Sequence, residues 1–164
     1  MIKKKVCMLG SFAVGKTSLV QRFVNSIFSE KYHTTIGVKI DQKLIKIDDN
    51  DVNLLLWDIH GEDEFQKVKP AYIMGSSGYF IVMDGTRRNS IETGLALREM
   101  VEKTIGNVPF ILLINKADLI DNWEITTGDI EELKKRGLEV ILTSAKTGDA
   151  VEEAFISLTR QMLK

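Results

Sequence analysis

Gly10-Ser11-Phe12-Ala13-Val14-Gly15-Lys16-Thr17 is the stretch that decides the fold of this chain. It matches the pattern of a glycine, four residues and then Gly-Lys-Thr. The apolar run 6–9 before it is typical of a buried strand, and segment 18–24 after it is typical of a helix. In a strand–loop–helix, backbone N–H groups surround a phosphate and the helix N-terminus adds partial positive charge. The stretch therefore predicts a phosphate-binding loop, with a chance match in a glycine turn as the alternative.

Two side chains at the end of this stretch carry most of its predicted chemistry. Lys16 is expected to reach the β- and γ-phosphates of a nucleotide, and the hydroxyl of Thr17 is expected to bind Mg²⁺. The loop alone does not say which base the nucleotide carries.

The composition is that of an ordinary globular protein of one domain. The chain has 164 residues and a net charge of -1, which gives no electrostatic argument for nucleic acid. Cys7 is the one cysteine, so an intrachain disulfide and a cysteine metal cluster are excluded. We expect Cys7 to be a small buried core residue. No apolar run reaches the ~18 residues of a membrane span, and the basic start of the chain does not fit a signal peptide. We expect an intracellular protein.

Strand and helix patterns alternate along the chain. The strand patterns cover 6–9, 38–47, 52–57, 78–83, 108–114 and 140–142. Segments 38–47 and 52–57 form a predicted hairpin around a turn at 48–51. One later helix is expected to begin with a cap at Ser90, and the last helix with a capping box of Asp149 and Glu152. This order predicts an α/β fold: a six-stranded, mostly parallel sheet with one antiparallel edge strand and helices on both faces.

The motif Asp58-Ile59-His60-Gly61 follows the predicted third strand. A carboxylate at the end of a strand suits Mg²⁺, and the N–H of a glycine three residues later suits a γ-phosphate. Asp-x-x-Gly is common in turns, so the motif gains its meaning from the phosphate loop upstream. Ligands of such sheets bind where strands end, which is where both motifs fall.

The motif Asn115-Lys116-Ala117-Asp118 follows the predicted fifth strand and indicates the base. The carboxylate of Asp118 can accept hydrogen bonds from N1–H and the 2-amino group of guanine, whereas adenine presents neither donor. The stem of Lys116 can lie along the face of the base. Segment Ser144-Ala145-Lys146, after the sixth strand, can offer a backbone N–H to O6 of guanine. A polar loop is the alternative for Asn-Lys-x-Asp taken alone.

With these motifs in this order, the chain resembles the Ras superfamily of small GTPases over essentially its whole length. The Rab branch is the most similar, because of Thr35-Ile36-Gly37-Val38 and of Leu56-Trp57-Asp58 followed by Glu64-Phe65. The resemblance implies a P-loop GTPase, that is, a single G domain over residues 1–164. It also implies that Phe28 stacks on the guanine, that Tyr32 closes over the phosphates and that Thr35 binds Mg²⁺ when the γ-phosphate is present.

The motifs and the resemblance together assign the expected site. The metal ligands are Thr17, Thr35 and Asp58, and the catalytic residues are Lys16, Thr35, Gly61 and Glu62. Nucleotide contacts are expected from Ser11, Phe12, Ala13, Val14, Gly15, Lys16, Thr17, Ser18, Phe28, Tyr32, Thr35, Gly61, Asn115, Lys116, Asp118, Ser144, Ala145 and Lys146.

The chain departs from the family at three positions of this site. Glu62 stands where the family has the glutamine that orients the attacking water, and an ionised carboxylate accepts hydrogen bonds but cannot donate them. Phe12 stands where the family has a small residue; its ring either blocks the space of an arginine finger or folds outward onto the second switch. His60 replaces an alanine and either compensates Glu62 or faces solvent without a catalytic role.

The leading prediction is a guanine-nucleotide switch that hydrolyses GTP slowly, and the alternative is a GTP-dependent binding module with negligible hydrolysis. The resemblance implies effectors, an exchange factor and an activating protein that contact switch regions 28–38 and 58–75. The candidate effector residues are Gly37, Val38, Trp57, Phe65 and Tyr72, or else these form core beneath the switches. We expect a monomer that does not bind nucleic acid.

Localisation depends on a feature that this sequence does not contain. Rab-like chains usually carry C-terminal cysteines for prenylation, and this sequence ends in Gln161-Met162-Leu163-Lys164. We expect a cytoplasmic protein, or a peripheral membrane protein if the natural chain continues into a lipidated tail.

Overall fold

The computed structural model describes residues 1–26, 37–59 and 68–164. The strands are β1 Ile2–Gly10, β2 Val38–Ile47, β3 Asn50–Ile59, β4 Gly78–Asp84, β5 Phe110–Asn115 and β6 Val140–Leu142. The helices are α1 Lys16–Asn25, α2 Pro70–Ile73, α3 Ser90–Ile105, α4 Thr127–Lys135 and α5 Val151–Met162, and a 3₁₀ helix covers Ala117–Asn122.

In the described part of the chain, the strands form one six-stranded sheet in the order β2-β3-β1-β4-β5-β6. Only β2 and β3 pair antiparallel, and every other neighbouring pair is parallel. The predicted fold class is therefore confirmed, including the antiparallel strand at one edge. The parallel strands β1, β3, β4 and β5 end at the same edge of the sheet, which brings the loops that follow them together.

Helices cover both faces of the sheet because the central strands are apolar on both sides. On one face, α1 and α5 pack against the sheet through a cluster in which Phe155 stacks on Phe23 at 4.0 Å between ring centroids. On the other face, α3 and α4 pack through residues such as Leu97 and Leu133. Cys7 is fully buried in this second cluster, as expected of a small core residue.

Both helix starts that the sequence suggested have a different geometry. Ser90 is the first residue of α3 and not its cap; its Oγ accepts the N–H of Asp84 at 3.0 Å and so ties the helix to β4. At α5 the N-cap is Ala150, which makes no side-chain cap, because Val151 N–H donates to the carbonyl of Gly148 instead. The predicted box of Asp149 and Glu152 is therefore wrong.

The sequence reasoning also missed α4, which has the capping box that was expected elsewhere. Thr126 Oγ1 accepts the N–H of Asp129 at 3.1 Å, and Asp129 Oδ2 accepts the N–H of Thr126 at 2.9 Å. The turn of the first hairpin is also tighter than predicted, because Ile47 already pairs with Asn50. Thr-x-x-Asp at residues 126–129 was the available signal for this helix.

Candidate functional site

The phosphate-binding loop lies at the carboxyl end of β1, which ends at Gly10, and it leads into α1, which begins at Lys16. Gly15 has a φ of +105°, and a Cβ at this position would lie 2.2 Å from Nδ2 of Asn115. Glycine is therefore required by both the backbone conformation and the space. Val14 is completely buried and anchors the loop in the core. The rest of the loop is Ser11, Phe12 and Ala13, and Ser18 lies in the first turn of α1.

Side chains hold the carbonyl groups of this loop. Nζ of Lys16 donates to the carbonyls of Gly10 at 3.1 Å and Ser11 at 3.2 Å. Nδ2 of Asn115 donates to the carbonyl of Val14 at 3.1 Å. These bonds fix the backbone conformation of the loop, and a loop whose N–H groups face one side forms a concavity that binds anions. The fixed backbone and the cation of Lys16 fit the phosphate loop that the sequence predicts.

Lys16 is the charged group at the centre of this loop, and its side chain is only 6% exposed. Burial lowers the pKa of Lys16 to about 8; the carboxylate of Asp58 opposes this effect and the guanidinium of Arg87 adds to it. A phosphate placed against Nζ would favour the charged form. The position therefore suits an anionic ligand.

Thr17 and Asp58 form the candidate metal site. Thr17 Oγ1 donates to Oδ2 of Asp58 at 2.5 Å, which joins the first turn of α1 to the end of β3. Asp58 is only 1% exposed. Hydroxyl and carboxylate oxygens are ligands that Mg²⁺ prefers, so this donor set fits the ion that the sequence predicted.

Asn115 connects the loops expected to bind the base with the phosphate loop. It lies at the carboxyl end of β5 and is buried. While its Nδ2 holds the phosphate loop, its Oδ1 accepts hydrogen bonds from Thr143 Oγ1 at 3.2 Å and from the N–H of Ala145 at 3.3 Å. The N–H of Ala145, one of the predicted donors to O6 of guanine, thus donates to Asn115 in this structure.

Asp118 is held by Ser144, a contact between the two predicted base-binding loops that the sequence did not indicate. Oγ of Ser144 donates to Oδ1 of Asp118 at 2.7 Å and accepts the N–H of Thr147 at 3.1 Å. Ser144 is fully buried, whereas Asp118 is exposed. The sequence argument assumed a buried carboxylate; in the structure Asp118 takes its orientation from Ser144 instead of from burial.

Lys116 contacts the phosphate loop directly, and it also pairs with Asp84, a residue that sequence reasoning missed. Its Nζ donates to the carbonyl of Ala13 at 3.3 Å and to Oδ2 of Asp84 at 2.7 Å. Burial raises the pKa of Asp84, but hydrogen bonds from Lys116 and Thr86 outweigh it and leave the pKa below its ordinary value. An Asp-Gly-Thr sequence directly after β4 was the available signal, since it places a carboxylate at the ligand edge of the sheet.

Two arginines that belong to no motif also contact the site. Nη2 of Arg87 donates to the carbonyl of Phe12 at 2.5 Å, and its Nε donates to Oδ2 of Asp84 at 3.1 Å. Arg22 on α1 donates to the carbonyls of Ala145, at 2.8 Å, and Lys146. These contacts join residues far apart in sequence, so no local pattern could have indicated them.

Several predicted site residues lie outside the described residues. They are Phe28, Tyr32, Thr35, His60, Gly61, Glu62 and Phe65. Their assigned roles in binding, catalysis and partner recognition stay predictions.

Of the remaining effector candidates, Gly37, Val38 and Trp57 lie on or directly before the hairpin of β2 and β3, and Tyr72 lies on α2. Trp57 on β3 pairs with Ile40 on β2, and Nζ of Lys5 lies 3.6 Å from the centroid of the Trp57 ring. Ile40 and Leu44 are exposed, and Trp57 is half-buried. The hairpin therefore exposes two apolar side chains, whereas the candidates Val38, Trp57 and Tyr72 are partly buried and pack against the second core cluster. Within residues 1–26, 37–59 and 68–164, every helix is too short or too polar to cross a membrane.

The order of strands, the loop at the end of β1 and the loops after β3 and β5 define the fold of a P-loop GTPase. The family model described as Ras family matches residues 5–164 of this chain. Ras-related protein Rab-2B of Dictyostelium discoideum is 38% identical over 162 residues, which cover 98% of this chain and 80% of that protein. Ras-related protein Rab-4 of the same organism is 34% identical, with 97% and 78% covered. Ras-related protein Rab-1 of Theileria annulata is 31% identical, with 96% and 73% covered. The chain belongs to the Ras family of small GTPases, in its Rab branch.

Proposed function

We propose that residues 1–164 form a single G domain that binds GTP and GDP with Mg²⁺ and hydrolyses GTP slowly. The observation that best supports this proposal is the position of Asn115. One buried amide holds the carbonyl of Val14 in the phosphate loop and accepts the N–H of Ala145 in the loop expected to contact guanine. A ligand with a guanine at one end and phosphates at the other fits such a pair of loops.

Thr17 and Asp58 are the residues that would hold Mg²⁺, with Thr35 as the expected ligand of the GTP form. Their oxygen donors fit the ion, and Asp58 is positioned by the hydrogen bond from Thr17. Bound Mg²⁺ neutralises negative charge on the β- and γ-phosphate oxygens. Thr35 and Gly61 are proposed to contact the γ-phosphate and to be released after hydrolysis, which is how such switches report the nucleotide.

Slow hydrolysis is proposed because of Glu62. Phosphoryl transfer depends on positioning of the attacking water and on electrostatic stabilisation, and a glutamine can both donate to and accept from that water. An ionised glutamate only accepts, and the γ-phosphate repels it. We expect intrinsic hydrolysis about 10-fold or more below that of a chain with glutamine at this position.

Phe12 supports the expectation of weak stimulation by an activating protein. Its side chain is 38% exposed, and Arg87 holds its carbonyl. A ring at this position of the loop occupies space beside the phosphates that a partner's arginine would need. Phe12→Gly is expected to raise stimulated hydrolysis; an unchanged rate would favour a ring that lies harmlessly outward.

The second candidate is a GTP-dependent binding module with negligible hydrolysis. Glu62 and Phe12 favour it, because both are expected to slow hydrolysis. Such a protein would stay in the GTP form until an exchange factor or degradation removed it. In either case Gly37, Val38, Trp57, Phe65 and Tyr72 are the proposed effector residues, and the exposed Ile40 and Leu44 of β2 extend this surface. We propose a monomer that contacts effectors, an exchange factor and an activating protein through the switch regions.

A single-turnover assay on GTP-loaded protein tests the proposal. GTP and GDP are separated by chromatography over time for the wild type, for Glu62→Gln and for the exposed-residue control Glu153→Gln. Slow conversion in the wild type, an increase of about 10-fold in Glu62→Gln and no change in the control would support it. GTP that stays intact in the wild type would favour the binding module, and a failure to retain any guanine nucleotide would refute both.

A further inference from the structure

Arg87 belongs to none of the motifs that assign the nucleotide site, yet it contacts the phosphate loop directly. Its Nη2 donates to the carbonyl of Phe12 at 2.5 Å. The neighbouring carbonyl of Ala13 accepts from Nζ of Lys116 at 3.3 Å. Two cations from two different loops therefore hold two consecutive carbonyls of the phosphate loop.

A single buried carboxylate orients both of these cations. Oδ2 of Asp84 accepts Nε of Arg87 at 3.1 Å and Nζ of Lys116 at 2.7 Å. Its other oxygen accepts the N–H and the hydroxyl of Thr86 at 2.8 and 2.7 Å. The side chain of Asp84 is only 1% exposed, whereas that of Arg87 is 37% exposed. The carboxylate of Asp84 is thus held in a fixed position, and it orients a guanidinium that lies at the surface.

An arginine that served only as a surface ion pair would not need the second bond. The ion pair with Asp84 uses Nε alone, and Nη2 is committed to the Phe12 carbonyl. A planar guanidinium makes both bonds at once through two separate nitrogens, whose relative positions are fixed in a fork. The geometry points to an effect on the loop and not merely on the stability of the fold.

We propose that Arg87 is a positioning residue for the nucleotide phosphates. By holding the carbonyl of Phe12, it helps turn the N–H groups of the loop toward the phosphates, and through Asp84 it acts together with Lys116. This inference rests on the proposed guanine-nucleotide site. It adds a residue that lies in the loop between β4 and α3 and belongs to no nucleotide-binding motif.

The test measures dissociation of a fluorescent GDP from Arg87→Ala and Arg87→Lys in the presence of Mg²⁺. Arg88→Ala is the matched control, because the guanidinium of Arg88 pairs with Asp129 on α4 at 2.7 Å and not with the phosphate loop. In Arg87→Ala, Asp84 keeps its bonds from Lys116 and Thr86, so we expect the protein to fold; the thermal unfolding midpoint checks this.

We expect GDP to dissociate about 10-fold or more faster from Arg87→Ala, since a charge-assisted hydrogen bond to the loop is lost. Arg87→Lys should give a smaller increase, because a lysine keeps the positive charge beside the loop but has one donor nitrogen in place of the separate Nε and Nη2 of arginine. The ³¹P resonance of the β-phosphate of bound GDP should shift in Arg87→Ala and stay unchanged in Arg88→Ala. A purely structural arginine would lower the unfolding midpoint without this spectroscopic change.

Dissociation from Arg87→Ala within about twofold of the wild type, with an unshifted β-phosphate resonance, would overturn the inference and leave the proposed nucleotide site intact. Failure of the wild type itself to retain GDP would instead refute the proposed function, and this inference with it. If Arg87→Ala does not fold, the comparison of Arg87→Lys with Arg88→Lys gives the same decision.

Discussion

Thr17 and Asp58 lie 41 residues apart in sequence, and their side-chain oxygens Oγ1 and Oδ2 are 2.5 Å apart in the structure. The contact forms because β1 and β3 are parallel neighbours, so that the loop after β1 and the end of β3 meet at one edge of the sheet. A hydroxyl and a buried carboxylate are oxygen ligands that Mg²⁺ prefers, which supports the proposed metal site.

Thr17→Ala should remove the hydroxyl while leaving α1 intact. We expect GDP to dissociate faster from this variant at millimolar Mg²⁺, and addition of a chelator to accelerate dissociation much less than in the wild type. Thr17→Ser keeps the oxygen and should behave like the wild type. Equal sensitivity to the chelator in Thr17→Ala and Thr17→Ser would show that Thr17 is not a ligand.

Asp118→Asn should change the base that the site prefers. The carboxylate accepts hydrogen bonds from guanine, whereas an amide can donate to the 2-oxo group of xanthine. Ser144 Oγ can still donate to the amide oxygen, so the loop is expected to keep its shape. Competition of GDP and XDP against a fluorescent nucleotide measures the preference. Unchanged discrimination between these bases would remove Asp118 from the base site.

The loop at the end of β1, the alternation of strands and helices and the position of Asp118 after β5 could be predicted because their signals are local. Glycine spacing, apolar runs and a carboxylate after a strand can each be recognised within about ten residues of sequence. The antiparallel hairpin could also be predicted, since β2 alternates between apolar and polar residues as an edge strand does.

The contacts that complete the site could not be predicted in this way. Arg87 and Phe12 are 75 residues apart, and Arg22 and Ala145 are 123 residues apart. Both contacts depend on which strands are neighbours in the sheet and on where each helix begins and ends. A local sequence pattern does not indicate either of these. The cap at Ser90 was misassigned for a related reason, because its bond with Asp84 comes from the packing of α3 against β4. At α5 the misassignment is local, since Val151 N–H donates to the carbonyl of Gly148 in place of the predicted box.

Gly85 shows how closely the loops at this edge pack. A Cβ at this position would lie 2.0 Å from the indole ring of Trp123, whose Nε1 donates to the carbonyl of Lys116. Gly85→Ala should therefore lower the free energy of unfolding by about 1–3 kcal/mol and weaken GDP binding by displacing Lys116. The matched control is Gly128→Ala, where the nearest atom to the new Cβ is 3.6 Å away and helix propensity favours alanine. Chemical unfolding that ranks the two variants in the opposite order would contradict this argument.

Titration of Lys16 should make both the free energy of unfolding and the affinity for GDP depend on pH, in opposite directions. Burial holds its pKa at about 8 in the folded chain, below the ordinary value of 10.5, so the folded state disfavours the charged form. This cost to stability is fully present below about pH 8 and disappears as the pH rises toward about 10.5. The free energy of unfolding of the nucleotide-free protein should therefore rise relative to Lys16→Met over that range. Parallel curves for the two proteins would contradict the shifted pKa.

Nucleotide binding should depend on pH in the opposite direction. A phosphate against Nζ favours the charged lysine and raises its pKa again, so that GDP binding takes up a proton once the pH exceeds about 8. We expect the affinity for GDP to be flat from about pH 6.5 to 7.5 and to fall as the pH rises through 8. Calorimetry in buffers of different ionisation enthalpy measures the proton uptake directly. Binding above about pH 8 without net proton uptake would mean that Lys16 does not face the phosphates.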